Sequence, residues 1–135
     1  MAEINIKLNL EKEKLEKAII NLEKVCKSDI YDKRIKIDAT IQRFEYTIEL
    51  FWKYLKRILE INGRDINLPK AILQESYQNA LISNEKIWLD MLRDRNQTSH
   101  TYNEQLADSI FHRITNIYTT EIRKVFDYLS NKDWR

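Results

Sequence analysis

From Leu15 to Cys26 the chain places Leu15, Ala18, Ile19, Leu22, Val25 and Cys26 at steps of three and four, with Glu and Lys filling the gaps. That spacing lays one apolar stripe along a helix and predicts a first helix here, beginning near Leu8. Ser28, Asp29 and Asp32 interrupt it. The pattern resumes at Ile37, Ile41, Phe44, Ile48, Trp52, Leu55, Ile58 and Leu59. This long second helix closes at Asn62-Gly63, where glycine can take the left-handed conformation of a helix C-terminus. Asp65 to Leu68 reads as a loop. Pro69 suits the first turn of a third helix running to about Leu81, because the N–H it lacks would be unsatisfied there in any residue. Ser83-Asn84 supplies capping oxygens for a fourth helix through Ile87, Trp88, Met91 and Leu92. The polar run Asn96-Gln97-Thr98-Ser99 weakens that helix, and Thr101-Tyr102-Asn103-Glu104 has the spacing of a capping box. A fifth helix is therefore expected from near Tyr102 through Leu106, Ile110, Ile114, Ile117, Ile122, Val125 and Leu129.

Composition narrows the class. One Gly and one Pro in 135 residues are too few for the turns of a β-sandwich or barrel, and too few for a glycine-rich phosphate loop. What remains is an all-α fold, expected as a single domain over 1–135, an antiparallel bundle of about five helices. With 23 Lys and Arg against 21 Asp and Glu, the formal charge of +2 does not mark a general polyanion binder, so nucleic-acid contact has to come from a local patch. The sign-alternating Lys and Glu of the first helix read as a solvated face. Cys26, the single cysteine, excludes an intrachain disulfide framework and a thiolate zinc site and fits a reducing compartment. No apolar run exceeds three residues, so neither a membrane span nor a secretory leader is expected, and the protein is expected to be cytoplasmic.

One constellation carries chemistry. Arg95 follows Leu92 by three residues, Met91 by four and Trp88 by seven, which directs it along the apolar stripe. A guanidinium cannot shed its proton, so a carboxylate or a bound phosphate has to meet it there; an ion-paired or snorkelling arginine at the bundle rim satisfies the same spacing. Asp90 and Asp94 are the nearest carboxylates, but their spacing suits the flank of the helix. In one continuous helix His100 would point roughly 140° away from Arg95, so the two converge only where the polar run at 96–99 breaks the helix. Tyr102, four residues before Leu106, joins the inward stripe of the fifth helix, as a buried tyrosine capping a polar pocket or as part of a site. Asn96 is either an orienting side chain or a helix C-cap. An arginine, an imidazole and a helix N-terminus around one point would hold a phosphodiester. Elsewhere the chemistry is plain. Glu45 with Glu49, and Asp90 with Asp94, share helix faces and read as solvated or salt-bridged; His112 has no ligand partner at helical spacing. Trp52 and Trp88 fall on apolar stripes as core or dimer interface.

Arg95-Asn96-Gln97-Thr98-Ser99-His100-Thr101-Tyr102 resembles, position for position, the Arg-x4-His-x-Tyr motif of the HEPN superfamily. More closely, the chain is similar to the nucleotidyltransferase substrate-binding proteins, the HepT-like toxins paired with minimal nucleotidyltransferase antitoxins. Ile41-Gln42-Arg43-Phe44-Glu45-Tyr46-Thr47 with Glu49-Leu50 and Trp52, and Trp88-Leu89-Asp90-Met91-Leu92 leading into Asp94-Arg95-Asn96, carry the likeness, which covers about Ile35 to Tyr128. The resemblance implies a homodimeric, metal-independent ribonuclease needing no cofactor, whose two motifs face each other across the subunit interface. Arg95, His100 and Asn96 would be its catalytic residues and RNA its substrate. Tyr102 would receive AMP from the cognate nucleotidyltransferase. A non-catalytic accessory subunit that binds a nucleotide for a separate nucleotidyltransferase is the rival expectation. The chain is not that transferase, since it lacks the glycine-serine loop and paired aspartates of two-metal nucleotidyl transfer.

Overall fold

The computed structural model describes residues 2–134. Its helices are α1 (Ala2–Cys26), α2 (Lys33–Ile61), α3 (Pro69–Gln78), α4 (Glu85–Gln97), α5 (Glu104–Arg113) and α6 (Thr119–Ser130). A 3-10 turn, Thr98–His100, follows α4. A π-helical turn, Ile114–Tyr118, joins α5 to α6 on helical backbone, so 104–130 form one rod. The described residues thus make the five helical rods that the apolar stripes predict, and none of them is in a strand.

Side-chain bonds give the packing. Arg43, Thr47 and Arg57 of α2 reach Asn21, Ala18 and Glu11 of α1, descending as α2 ascends, so the two longest helices are antiparallel. The 104–130 rod is antiparallel to α1, through Arg123 to Glu23 and Lys12 to the Ser130 carbonyl. Against α2 it runs parallel, with Phe44 stacked on Tyr118 and Tyr54 tilted on Phe126. Helix α4 is antiparallel to both: Arg95 and Thr98 meet Glu49 and Glu45 of α2, while Trp88 and Asp94 meet Glu121 and Arg113 of the rod. Phe44, Phe51, Tyr54, Trp88, Tyr118 and Phe126 fill the centre, each ring removing on the order of 150–250 Å² from water.

Helix ends follow local chemistry, with three departures from the sequence reading. Helix α1 starts at Ala2, ahead of Leu8, through turns in which Ile6 and Leu10 stay exposed and give no stripe to read. Helix α2 closes as expected: Gly63 takes φ +82°, Gly63 N donates to Glu60 O at 2.9 Å and Arg64 N to Leu59 O at 2.8 Å. Helix α3 stops at Gln78, short of Leu81, in the same closing motif. There Ala80 holds φ 60° and Leu81 N donates to Ser76 O at 2.8 Å, which turns Leu81 and Ile82 into the core. The capping box at 101–104 does not form. Thr101 has ψ 0°, whereas an N-cap needs extended backbone; Asn103 has ψ 107°, and its side chain accepts from Leu106 N at 3.2 Å. The Thr101 hydroxyl donates instead to the Thr98 carbonyl.

Candidate functional site

Arg95 lies in the last turn of α4, and its guanidinium turns to α2. Nε donates to Glu49 Oε1 at 3.2 Å, Nη2 meets the same oxygen, and Nη1 lies 3.5 Å from Glu45 Oε2. The anion that this arginine needs is therefore a pair of carboxylates one turn apart on α2, supplied by the Glu45 and Glu49 face that the sequence suggests only as salt-bridged or solvated. Thr98 joins them, its hydroxyl facing Glu45 Oε2 and, at 2.7 Å, the Arg95 carbonyl.

Asp94 is a correction. Expected on the flank of α4, it is 2% exposed and bound by Arg113 and Tyr118 of the rod. The inward stripe runs Trp88, Met91, Asp94, Thr98, all buried, and Arg95 sits at its edge with 27% of its side chain exposed. Steps of three, three and four are the available signal, but a carboxylate on an apolar stripe is readily assigned outward. Asp90 does lie on the flank, paired with Lys86 and Arg93.

The 3-10 turn provides the break that the polar run allows, and it carries His100 to an exposed position. The imidazole meets the Tyr102 ring edge to face, with centroids 5.9 Å apart. Tyr102 is 83% exposed, so it does not join the inward stripe of the rod; it lies two positions before the α5 start at Glu104, in the connecting loop. Asn96 is exposed within α4, whose C-cap is Thr98, so the C-cap reading of Asn96 fails. No hydrogen bond joins Arg95 to His100 among the described residues; the structure brings Arg95 to Glu45, Glu49 and Thr98, and His100 to Tyr102.

Beside these groups an open groove of about 420 Å³ runs between the first half of α2 and the 98–104 segment, lined among others by Arg34, Asp38, Gln42, Thr101 and Tyr102. Arg34 lies 3.4 Å from Asp108 and 3.9 Å from Asp38 and Glu104, and its Nη1 is buried without a hydrogen-bond partner. Among the described residues no group of three or more His, Cys, Asp or Glu is placed to hold a metal ion. None of their helices is long and apolar enough to cross a membrane. Trp88 is buried, its Nε1 donating to Glu121 Oε2 at 2.9 Å, so it belongs to the core and is removed from the candidate dimer surface. Ile35 and Tyr46 of α2 and Tyr102 are exposed large apolar side chains.

Comparison with known proteins agrees with this architecture. A crystal structure from Thermus thermophilus superposes with a TM-score of 0.77 at 36% identity, covering 85% of this chain and 98% of that one. A Haemophilus influenzae structure, described as revealing the fold of a substrate binding domain of a nucleotidyltransferase, superposes with a TM-score of 0.66 at 23% identity, covering 95% and 99%. At that identity it speaks for the fold alone. A Haemophilus influenzae protein named probable ribonuclease HepT is 37% identical over 83 residues, which span 58% of this chain and 57% of that relative. The family profile described as nucleotidyltransferase substrate binding protein like matches residues 10–131. The chain therefore belongs to the nucleotidyltransferase substrate binding protein-like family, with HepT-like proteins among its relatives.

Proposed function

We propose that this chain is a metal-independent endoribonuclease, the toxin of a module whose antitoxin is a minimal nucleotidyltransferase that silences it by attaching AMP to Tyr102. The observation that carries the reading is the helix break at 98–100, which leaves His100 and Tyr102 exposed edge to face, one turn beyond Arg95. The HepT-like relative named as a probable ribonuclease supports it.

RNA carries its own nucleophile. Attack of the 2′-oxygen on the adjacent phosphorus forms one P–O bond and breaks the P–O5′ bond, which leaves a 2′,3′-cyclic phosphate and a 5′-hydroxyl. One group has to take the 2′ proton, another to give a proton to O5′, and a cation has to face the charge on the phosphorane. His100 serves proton transfer, one from each subunit of a homodimer, and Arg95 holds the phosphate through its forked donors. Asn96, exposed on α4, would orient either of these groups. A nucleotide tethered at Tyr102 would add negative charge beside these groups and exclude the substrate. Purified, unmodified protein should cut RNA in excess EDTA with 2′,3′-cyclic or 3′-phosphate ends, and His100→Ala should lose about a hundredfold or more in rate. A magnesium requirement, or full activity in the variant, would overturn the mechanism.

One feature favours a second reading, a non-catalytic subunit that presents a nucleotide to a separate nucleotidyltransferase. Glu45 and Glu49 already engage Arg95, and a substrate phosphate has to compete with both. Nucleotide binding without any RNA cleavage would select it.

A further inference from the structure

Asp94 is the most deeply buried charged side chain beside the motif, and the chemistry above does not use it. Arg113 grips it twice, Nε to Oδ2 at 2.7 Å and Nη2 to Oδ1 at 2.9 Å, and the Tyr118 hydroxyl donates to Oδ2. A carboxylate is stable in a protein interior only where its lone pairs are met, and three donors meet this one. Burial, and then the hydrogen bond to Asp94, push the Tyr118 phenol well above its ordinary pKa, so it stays a donor.

The geometry of the rod explains how two donors reach one carboxylate. Arg113 and Tyr118 are five residues apart, and side chains so spaced on a regular α-helix point roughly 140° apart. Residues 114–118 form a π-helical turn instead, whose wider i to i+5 closure brings residues five apart toward one face. The irregular turn is thus what converges Arg113 and Tyr118 on Asp94. Asp94 immediately precedes Arg95 and lies one turn before the 3-10 turn that carries His100. At the other end of α4, Trp88 Nε1 fastens the helix to Glu121 of α6.

We infer that Asp94, Arg113 and Tyr118 are positioning residues: they lock the last turn of α4 against the π turn and so set where Arg95 and the 98–100 turn stand. The functional part of this inference rests on the proposed roles of Arg95 and His100; the mechanical part does not.

Tyr118→Phe is the sharpest test, since it keeps the ring stacked on Phe44 and removes only the hydroxyl. Asp94→Asn removes the charge, and Trp88→Phe cuts the other strut as a control for lost stability. Nuclear magnetic resonance reads the Arg95 Nε–H and the amide exchange of each residue. In Tyr118→Phe, exchange over 95–101 should rise about tenfold or more and the Arg95 Nε–H should shift or broaden, while amides of α1 and α2 hold their values. Unchanged signals at Arg95, exchange rising evenly along the chain, or the same rise over 95–101 in Trp88→Phe would overturn the positioning role. Where the wild-type protein cleaves RNA, Tyr118→Phe should lower kcat about tenfold with little change in KM, and an unaltered kcat would equally overturn it. A wild-type protein that cuts no RNA sinks the proposed enzyme, and the exchange measurement still decides the clamp. Should Asp94→Asn fail to fold, Tyr118→Phe decides alone.

Discussion

At the residue scale, two tyrosines in opposite surroundings give opposite expectations. Tyr102 is 83% exposed, and its ring contact is the His100 edge. Tyr102→Phe should therefore leave the unfolding midpoint unchanged while removing the acceptor oxygen for AMP. Intact-mass spectrometry after co-expression with the cognate nucleotidyltransferase checks it: added AMP on the wild type and none on the variant is the expected result, and an unmodified wild-type Tyr102 in a neutralised complex would point to silencing by binding alone. Tyr54 is 1% exposed, and burial pushes its phenol from 10.0 up to about 12. The folded state favours the neutral form, so this contribution is complete below pH 10 and is lost as pH rises from 10 through about 12. By linkage the loss amounts to about 3 kcal/mol. Urea unfolding followed from pH 9 upward should show the wild type falling more steeply than Tyr54→Phe. Parallel curves would mean that the phenol ionises equally well in both states.

At the element scale, α2 and α3 end in one backbone motif with different residues at its left-handed position. Gly63 occupies it after α2 and Ala80 after α3, at φ +82° and 60°. Nothing lies within 4 Å of a Cβ placed on Gly63, so Gly63→Ala meets only the backbone penalty, about 1 kcal/mol of destabilisation. Ala80→Gly relieves the same penalty and should stabilise by somewhat less, because the unfolded chain gains freedom. Denaturant midpoints moving in the same direction would refute the shared motif. The pair also marks how far the sequence is legible. Asn62-Gly63 announces a helix end because glycine is the residue that conformation prefers, and α2 does end there; Ala80 carries no such signal, and the apolar pattern extends α3 to Leu81. The apolar stripes locate five rods because burial needs a continuous face. The π turn at 114–118 interrupts that pattern at one position: the stripe places Ile117 inward, but Ile117 is 45% exposed and Tyr118 is buried in its stead, while Ile110 and Ile122 stay buried on either side. What the turn brings together, Arg113 and Tyr118 on the Asp94 carboxylate, is an interaction between residues 19 and 24 positions apart, which no local pattern announces.

At the scale of the whole molecule, the sequence names the candidate residues but not their arrangement. Arg95, His100 and Tyr102 stand at one end of α4, but Tyr102 faces outward because it lies in the loop before α5, and Arg95 is held by α2 because the packing brings Glu45 and Glu49 near it. A single chain carries one histidine in the motif, whereas the proposed reaction moves two protons. Under the proposed mechanism the site calls for a second copy, and the exposed apolar side chains Ile35 and Tyr46 on α2, with Tyr102, are the surface we propose for a two-fold contact. Light scattering at micromolar concentration should report about twice 16.4 kDa. Ile35 and Tyr46 are 59% and 56% exposed and neither is part of the buried core, so Ile35→Asp with Tyr46→Asp should fold while shifting the mass toward the monomer. RNA cleavage should fall with the dimer fraction as the variant is diluted, since each dissociation separates the two imidazoles. A monomer that cleaves at the full rate would place both proton transfers within one chain and discard the composite site, leaving the folded bundle and the role of Asp94 untouched.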